Sequence, residues 1–314
     1  MRHLVLPILL LLASCSLQKM ALRSASPMFK ESSDKLTREG SWDFFRESAP
    51  GNLKFLEMMS LSDPQNLILL GTLIKGYTGY AYAVPETLAL GDDLAGVENS
   101  KWKREAIVHY TRAFDYGLSY LKQKDISASD LLDADDDKLK KKLKSELDDE
   151  DVTAVLYTAQ AWGSLINLQQ DNVALVSQVP KVKVMFDWVC KMNPKIDHGV
   201  CEIFNAQYEA SRPRMLGGNP IKADELYLAA IARHPKHLLI RLGRIQYLLL
   251  PGFEKEKYEA EAKVLKEEFA KWDDLNRDTL ENKSEYRDAQ DLNLYNAIAK
   301  KRFEMIEKNK SKIF

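Results

Sequence analysis

One recurring spacing restricts this chain to a helical repeat fold. The clearest copy consists of four residues at relative positions 0, 4, 7 and 12: Ala223, Tyr227, Ala230 and Pro235. This pattern is typical of the second helix of a tetratricopeptide repeat, where small residues let the partner helix approach and the aromatic ring fills the gap. The Pro ends that helix. Because one hairpin cannot bury its apolar face alone, we expect further hairpins in the chain.

Two more segments carry the spacing. One has Val in place of Ala and keeps all four positions: Val182, Phe186, Val189 and Pro194. The other keeps the first three positions: Ala106, Tyr110 and Ala113. From Trp42 onward nearly every segment has apolar residues at helical period, and hardly any has the alternation of a strand. The sequence therefore predicts an all-α fold of stacked helical hairpins, with degenerate tetratricopeptide-like repeats and a C-terminal capping helix.

The N-terminus has the pattern of an export signal. The apolar run from Leu4 to Ala13 is too short to span a bilayer, which needs about 20 residues, and small residues follow it. The tetrapeptide that ends at Cys15 resembles the lipobox of bacterial lipoproteins. We therefore predict a signal peptide at residues 1–14 and a lipid-modified Cys15 as the first mature residue. The alternative is an ordinary signal peptide followed by an incidental Cys.

The mature chain is predicted to have a tether and one domain. Residues 15–40 are Ser-rich and lack clear periodicity, which predicts a flexible tether between the lipid and the folded part. Residues 41–314 are predicted to form a single α-helical domain. Ser16, directly after the modified Cys, resembles the residue found in lipoproteins that are sent to the outer membrane. We expect no other membrane-spanning run, so that the lipid anchor is the membrane attachment.

Composition and motifs argue against several classes of function. The formal net charge is −1 and there is no basic stripe, which argues against a nucleic-acid partner. A Walker loop and the GxSxG, HExxH and CxxC motifs do not occur. His234 and His237 flank Pro235, and this arrangement favours helix-end positions over metal binding. We therefore predict a binding module without cofactor or metal and not an enzyme, although an enzyme hidden in the helical body remains an alternative.

The segment from Leu67 to Val84 is predicted to be a helix with two apolar sides. Glycine lowers helix stability, so the glycines within it suggest close helix approach or space for a ligand. We propose a ligand passage or subunit contact lined by Gly76, Tyr77, Gly79, Tyr80, Tyr82 and, from a later helix, Trp162. On this hypothesis a Leu at Gly76 leaves folding intact and weakens assembly. Ordinary core packing is the alternative, since aromatic stripes at helical spacing usually belong to a core.

Two further features leave alternatives open. Residues 130–151 contain ten acidic residues and five Lys, and such a run is usually a solvated helix or loop. Cys190 and Cys201 flank a turn at Pro194. They can form a disulfide in an oxidising periplasm, or they can remain two buried free thiols.

Taken in order, the motifs of this chain resemble those of a known family. They are the lipobox, APGNLKFLEMM from Ala49, NLILLGTLIKGYTGYAYA from Asn66, RAFDYGLSYL from Arg112, AQAWGSLINLQQDN from Ala159, RPRMLGGNPIKADELYLAAI from Arg212 and NAIAKKRF from Asn296. This series is similar to the T component of tetratricopeptide-associated TRAP transporters, over nearly the whole mature chain.

The resemblance implies a function and partners. It implies a homotrimeric envelope lipoprotein, facing the periplasm from the outer membrane, that associates with the periplasmic substrate-binding protein of a TRAP transporter. Such a protein is expected to assist the uptake of a small organic acid or apolar ligand. The alternative function is a tetratricopeptide scaffold for another envelope process, such as outer-membrane or cell-wall assembly.

Overall fold

The protein is helical over the residues that the structure describes. The computed structural model describes the backbone of residues 5–273 and 285–314, and the side chains of residues 19–272 and 285–314. These ranges contain no β-strand. The helices pack as hairpins, and the predicted all-α fold is confirmed.

The α-helices of the described ranges are α1 (Val5–Lys35), α2 (Trp42–Ser62), α3 (Leu67–Ala81), α4 (Thr87–Ala95), α5 (Lys101–Gln123), α6 (Ala128–Leu132), α7 (Asp136–Glu146), α8 (Val152–Leu168), α9 (Val173–Val176), α10 (Val179–Met192), α11 (Val200–Ser211), α12 (Pro220–Arg233), α13 (Leu238–Arg244), α14 (Lys255–Asp273) and α15 (Asn293–Ile313). Two π-helical segments, Tyr82–Glu86 and Ile245–Leu249, follow α3 and α13. Short 3-10 turns occupy Leu36–Arg38, Asp149–Asp151, Ile196–Gly199, Arg214–Leu216 and Gln290–Leu292.

The chain divides into two compact units, each assembled from segments that are distant in the sequence. The described residues of unit 1 lie within Met1–Asp34, Ser48–Tyr80 and His109–Met185. Those of unit 2 lie within Lys35–Glu47, Ala81–Val108 and Phe186–Phe314.

Helix α1 replaces most of the tether that the sequence predicted over residues 15–40. It ends at Lys35 and packs in unit 1, where Leu22 is 5% exposed and Ser26 is fully buried. The guanidinium of Arg23 on α1 binds the carboxylate of Asp63 at 2.6 Å. The Ser-rich composition suggested a flexible segment, whereas Leu22 and Ser26, four residues apart on this helix, are buried in unit 1.

The predicted signal peptide and lipid anchor fall outside the described side chains. Residues 1–4 are not described, and side chains are described only from residue 19. The signal peptide at residues 1–14 and the modification of Cys15 therefore stay predictions.

The residues chosen for the repeat core are buried, with one exception. Buried members are Ala106, Tyr110, Ala113, Val182, Phe186, Val189, Ala223, Tyr227 and Ala230. Pro235 is exposed, in the turn between α12 and α13.

Tyr227 shows how one hairpin of unit 2 packs. Helices α11 and α12 form the hairpin, and the Tyr227 side chain lies in a cluster with Ala206 on α11, Ala230 on α12 and Ile240 on α13. A Cβ atom at Gly243 of α13 would lie 3.4 Å from a ring carbon of Tyr227. Small residues thus surround the aromatic ring, as the repeat spacing predicts.

The C-terminal helix α15 closes unit 2 and packs against α4 and α13. It buries polar side chains as well as apolar ones: Asn296 and Arg302 are fully buried. The Asn296 side chain accepts a hydrogen bond from the Leu238 backbone N–H at 2.9 Å and donates to the Lys236 carbonyl at 3.0 Å. These two bonds hold the start of α13 against α15.

The acidic segment at 130–151 is helical and has a buried face. Leu139 and Leu143 of α7 are fully buried, while the charged residues between them face outward. The carboxylate of Asp151 is also fully buried. It accepts a hydrogen bond from the Tyr120 hydroxyl at 2.6 Å and forms an ion pair with Lys124 at 2.9 Å. These two contacts attach the segment to the C-terminal end of α5.

The structure answers the question that the sequence left open about the two cysteines. Cys190 and Cys201 form a disulfide between α10 and α11, with their Cα atoms 5.8 Å apart. The loop that the disulfide closes contains Asp197, His198 and Gly199, with φ angles of 49°, 53° and 97°. Non-glycine residues rarely adopt positive φ angles, so the surrounding structure holds this loop in a strained conformation.

One helical stretch is long and apolar enough to cross a membrane, contrary to the sequence expectation. It runs from Leu67 to Ala95, with 29 residues and a mean hydropathy of 1.2 in its best window. The protein buries 61% of that window. A buried core helix passes the same test of length and composition, so this stretch is weak evidence of a membrane span.

Candidate functional site

The structure divides the residues proposed for a ligand passage into three groups. Gly76, Tyr77, Gly79 and Tyr80 lie on α3 in unit 1. Tyr82 begins the first π segment, in unit 2. Trp162 lies on α8 and is described separately below.

Tyr77 and Tyr80 join two side chains of α5 in what we call the aromatic stack: Tyr77, Tyr80, His109 and Tyr116. The ring of Tyr77 lies 5.8 Å from His109 and 6.0 Å from Tyr116, with an interplanar angle of 19° in both pairs. Tyr80 meets His109 edge-on at 5.0 Å. His109 and Tyr116 are two helical turns apart and therefore share one face of α5, with Tyr77 between them.

Charged groups border the stack. Glu57 on α2 accepts a hydrogen bond from the Tyr116 hydroxyl at 3.2 Å and pairs with Lys54. Arg112 lies over the Tyr77 ring, 5.8 Å from its centroid. The Tyr77 hydroxyl lies near Glu57 but has no hydrogen bond of standard geometry.

These surroundings shift the pKa values of three side chains of the stack. Burial, together with the positive charges of Arg112 and Lys54, lowers the pKa of His109 to about 4. Burial and the negative charge of Glu57 raise the pKa of Tyr116 to about 12. Burial also raises the pKa of Tyr77, with Glu57 adding to the effect.

The side chains of the stack and its border differ in accessibility. Tyr77 and Tyr80 are buried, whereas His109, Arg112 and Tyr116 keep part of their surface accessible. The Tyr77 hydroxyl and the His109 Nδ1 atom are buried without a hydrogen-bond partner.

The two glycines of α3 have different surroundings. A Cβ atom at Gly76 would lie 2.6 Å from Cδ2 of Leu53, which is itself buried. A Cβ atom at Gly79 would have no neighbour within 4 Å. A Leu at Gly76 would therefore meet α2, which favours the alternative of core packing at this position, and the hypothesis that folding stays intact remains a prediction. Gly79 is the glycine beside open space.

Trp162 belongs to the core of unit 1. It is 1% exposed, and its indole N–H donates to the Gln178 side chain at 2.9 Å. Its ring lies 5.2 Å from Phe114. These partners explain its burial without a ligand.

Tyr82 belongs to a second cluster, which we call the tyrosine–arginine centre: Tyr82, Glu86, Thr87, Tyr227, Gln246, Tyr247 and Arg302. The Arg302 guanidinium is fully buried and lies 3.9 Å from the centroid of the Tyr82 ring. Its Nη2 atom donates to the Tyr82 carbonyl at 2.8 Å and pairs with Glu86 at 3.1 Å.

Arg302 has further partners in the same unit. Its Nε atom donates to the Thr87 hydroxyl at 2.9 Å, and its Nη1 atom donates to the Gln246 side chain at 3.3 Å. The sequence pattern does not predict this centre, because Arg302 lies among several basic residues near the C-terminus. A signal was present, since Arg302 lies on the same helical stripe as Ala299 and Ile306, both of which are buried.

The described residues do not contain a group of three His, Cys, Asp or Glu side chains that could hold a metal ion. What they contain is a set of helical hairpins with two clusters of aromatic and polar side chains. These features define the class as an all-α protein of packed helical hairpins.

Comparison with known families identifies the chain more closely. The model of the family described as TRAP transporter T-component matches residues 41–314. The chain therefore belongs to this family, as the resemblance predicted. Members of the family are accessory components of a transporter. A component of a TRAP transporter is associated with the bacterial cell envelope. The comparison with curated proteins found no match.

Proposed function

We propose that this protein is a periplasm-facing lipoprotein that binds the substrate-binding protein of a TRAP transporter and assists the uptake of an organic acid or apolar small molecule. The observation that carries the proposal is the family match over residues 41–314. The helical hairpins support it, because helical repeats present extended surfaces to other proteins.

The proposed attachment to the membrane is the lipid on Cys15. The lipobox-like sequence supports it, since an acyl-modified Cys confines a protein to a membrane surface. We expect Cys15→Ser to release the protein or to leave an unprocessed precursor, as seen by cell fractionation and mass spectrometry. Normal processing together with unchanged membrane retention would remove the lipoprotein from the proposal.

The proposed binding surface in unit 1 is the accessible edge of the aromatic stack and the space beside Gly79. The partly accessible side chains His109, Arg112 and Tyr116 support it. The space beside Gly79 supports it as well, because helices within a core seldom leave a glycine without a neighbour. A contact with a second copy of the chain, as in a trimer, is the other use that we propose for this surface.

A pair of glycine variants tests this surface. Gly79→Leu fills the open space, whereas Gly51→Leu, also on a helix of unit 1 and also without neighbours within 4 Å, is the matched control. We expect both variants to keep the helicity of the wild-type chain and a Tm at or above its value, because neither side chain meets another group and Leu favours a helix over Gly.

The readouts are a pull-down with the substrate-binding protein encoded beside the TRAP permease and sedimentation in the ultracentrifuge. Gly79→Leu is expected to weaken capture or assembly at least tenfold, a cost of about 1.4 kcal/mol, and Gly51→Leu is expected to leave both unchanged. If Gly79→Leu and Gly51→Leu capture the substrate-binding protein and assemble equally well, this surface is not the binding surface. A wild-type chain that never captures the substrate-binding protein would remove the partner itself.

A further inference from the structure

Helices α1 and α2 pack side by side in unit 1. Arg23 on α1 binds Asp63, the residue directly after the end of α2, at 2.6 Å. Further along α1, the Phe29 ring meets the Phe55 ring of α2 edge-on, with 6.1 Å between the centroids. The contact that comes first on α1 comes last on α2, so the two helices run antiparallel.

The outer surface of α2 carries three exposed apolar side chains, which we call the apolar strip: Phe55, Met58 and Leu61. They are 50%, 65% and 78% exposed, respectively. Residues three positions apart are neighbours on a helix surface, so each side chain of the strip lies beside the next. Helix α1 adds two more exposed side chains, Met20 and Met28. Single exposed apolar residues are ordinary, whereas a contiguous group marks a surface that another body covers.

The apolar strip lies near the proposed lipid anchor. Cys15 and Arg23 lie on the same helix, eight residues apart, which is about 12 Å along the helix axis. Asp63 pairs with Arg23, so the Leu61 end of the strip is the end nearest Cys15. The exposed fraction of the strip is also largest at that end. Because α1 replaces most of the predicted flexible tether, lipid chains on Cys15 would hold the Leu61 end close to the membrane surface.

The dimensions and the charge of this region fit a lipid surface. A helix that lies on a membrane buries its apolar face about 5 to 10 Å deep, between the headgroups and the acyl chains, and its Lys and Arg side chains stay near the headgroups. Residues 19–35 of α1 carry four basic and two acidic side chains, although the whole chain has a formal net charge of −1. This local basic excess suits the phosphate groups of anionic lipids.

We propose that the apolar strip rests on the lipid surface beside the anchor. The acyl chains hold the protein to the membrane, and the strip adds a second contact that decides which side of unit 1 faces the lipid. This inference rests on the lipid anchor at Cys15, which is part of the proposed function.

Photo-crosslinking tests the apolar strip in the lipidated protein as cells process it. The photo-reactive residue p-benzoylphenylalanine replaces Leu61 in one variant and Val173 in the matched control. Val173 lies on α9, also in unit 1, and its side chain is exposed to nearly the same degree, 80%. Each variant is reconstituted in vesicles that contain phosphatidylethanolamine and phosphatidylglycerol in equal parts. After irradiation, mass spectrometry identifies what is attached to each position.

We expect about ten times more lipid adduct at Leu61 than at Val173, because acyl chains surround a side chain that lies in the membrane interface. Adding Met58→Glu to the Leu61 variant is expected to remove most of this adduct, since a carboxylate is costly to take out of water. Adding Met58→Leu is expected to retain it. The Met58 side chain is exposed, so neither change disturbs the fold.

The outcomes separate the strip from the anchor. Equal lipid adducts at Leu61 and Val173 in a protein whose Cys15 carries lipid would overturn the strip and leave the anchor in place. Adducts of Leu61 with a second copy of the chain, in place of lipid, would overturn the lipid surface as the occupant. A Cys15 without lipid in the wild-type protein would overturn the anchor and the role of the strip with it.

Discussion

The aromatic stack of unit 1 and the tyrosine–arginine centre of unit 2 are built in different ways. The stack combines rings from regular turns of α3 and α5, and its charged groups, Glu57 and Arg112, lie at its border. The centre combines two π segments with α15, and its charged pair, Arg302 and Glu86, lies in its interior.

The difference shows that one tyrosine-rich run can supply two kinds of side-chain cluster. Tyr77 and Tyr80 are three residues apart and share a face of a regular helix, so their partners follow helical spacing. Tyr82 lies in a π segment whose neighbours, Gln246 and Arg302, are more than 160 positions away in the chain. Removing one charge of an ion pair is therefore expected to destabilise the protein strongly in the interior of unit 2 and weakly at exposed pairs. The following predictions test this contrast.

The largest effect is expected from Arg302→Met. This change removes the guanidinium from its buried ion pair with Glu86, which costs about 3 to 5 kcal/mol of the free energy of unfolding. Chemical denaturation followed by circular dichroism measures the loss. The control is Arg38→Met, which breaks an ion pair with Asp291 whose side chains are 54% and 52% exposed, and it is expected to cost less than about 1 kcal/mol. Similar losses in the two variants would contradict the contrast.

A loss of similar size is expected from Tyr227→Ala. The Tyr227 side chain is fully buried, and its removal leaves a cavity in unit 2 that costs about 3 to 5 kcal/mol of unfolding free energy. Tyr116→Ala in unit 1 is expected to cost less, because its side chain is partly accessible. Urea denaturation compares them. A loss below about 0.5 kcal/mol for Tyr227→Ala, typical of surface positions, would mean that the repeat register is wrong.

A pH effect is expected from one histidine in each unit. Burial is the main cause that lowers the pKa of His109 and of His237 to about 4, from an ordinary value of 6.5. Because each folded pKa lies below the unfolded one, the unfolded chain binds protons first as the pH falls. The stability contributed by each neutral imidazole is therefore complete above pH 6.5 and is lost as the pH falls to about 4.

The size of the pH effect is expected to differ between the units. His237 is 2% exposed and bonds the His198 carbonyl at 3.0 Å, so its full shift corresponds to about 3 kcal/mol. His109 is partly accessible, and solvent screening reduces its contribution to about 1 to 2 kcal/mol. Denaturation of His237→Asn and His109→Asn between pH 7 and 4 checks this. A pH dependence that neither variant flattens would show that other groups carry it.

Effects of opposite sign are expected from two glycine changes within unit 1. A Cβ atom at Gly117 would lie 2.5 Å from both Cγ2 and Oγ1 of Thr158, a β-branched side chain that bonds the Ala154 carbonyl. Gly117→Ala is therefore expected to cost about 1 to 3 kcal/mol of unfolding free energy through overpacking. Gly79→Ala is expected to gain up to about 1 kcal/mol, because alanine favours the helix and meets nothing. A thermal melt that places both variants on the same side of the wild-type Tm would refute this difference.

The sequence by itself determined the features that depend on local periodicity. The spacing of Ala223, Tyr227 and Ala230 follows the turn of one helix, so it identified a buried face before any partner was known. The same reasoning identified the all-α fold, and the order of the motifs identified the family. Composition misleads in α1: the Ser-rich segment predicts a flexible tether, but it is helical as far as Lys35 and buries Leu22 and Ser26.

The tertiary structure alone decided the features that depend on distant partners. It showed that Leu53 fills the space beside Gly76 and that nothing fills the space beside Gly79. It also paired Cys190 with Cys201 and brought Arg302 to Glu86, two residues 216 positions apart. The burial of a charge or the space beside a glycine is set by which helices meet, and that depends on the free energy of the whole packed chain, which no local pattern contains.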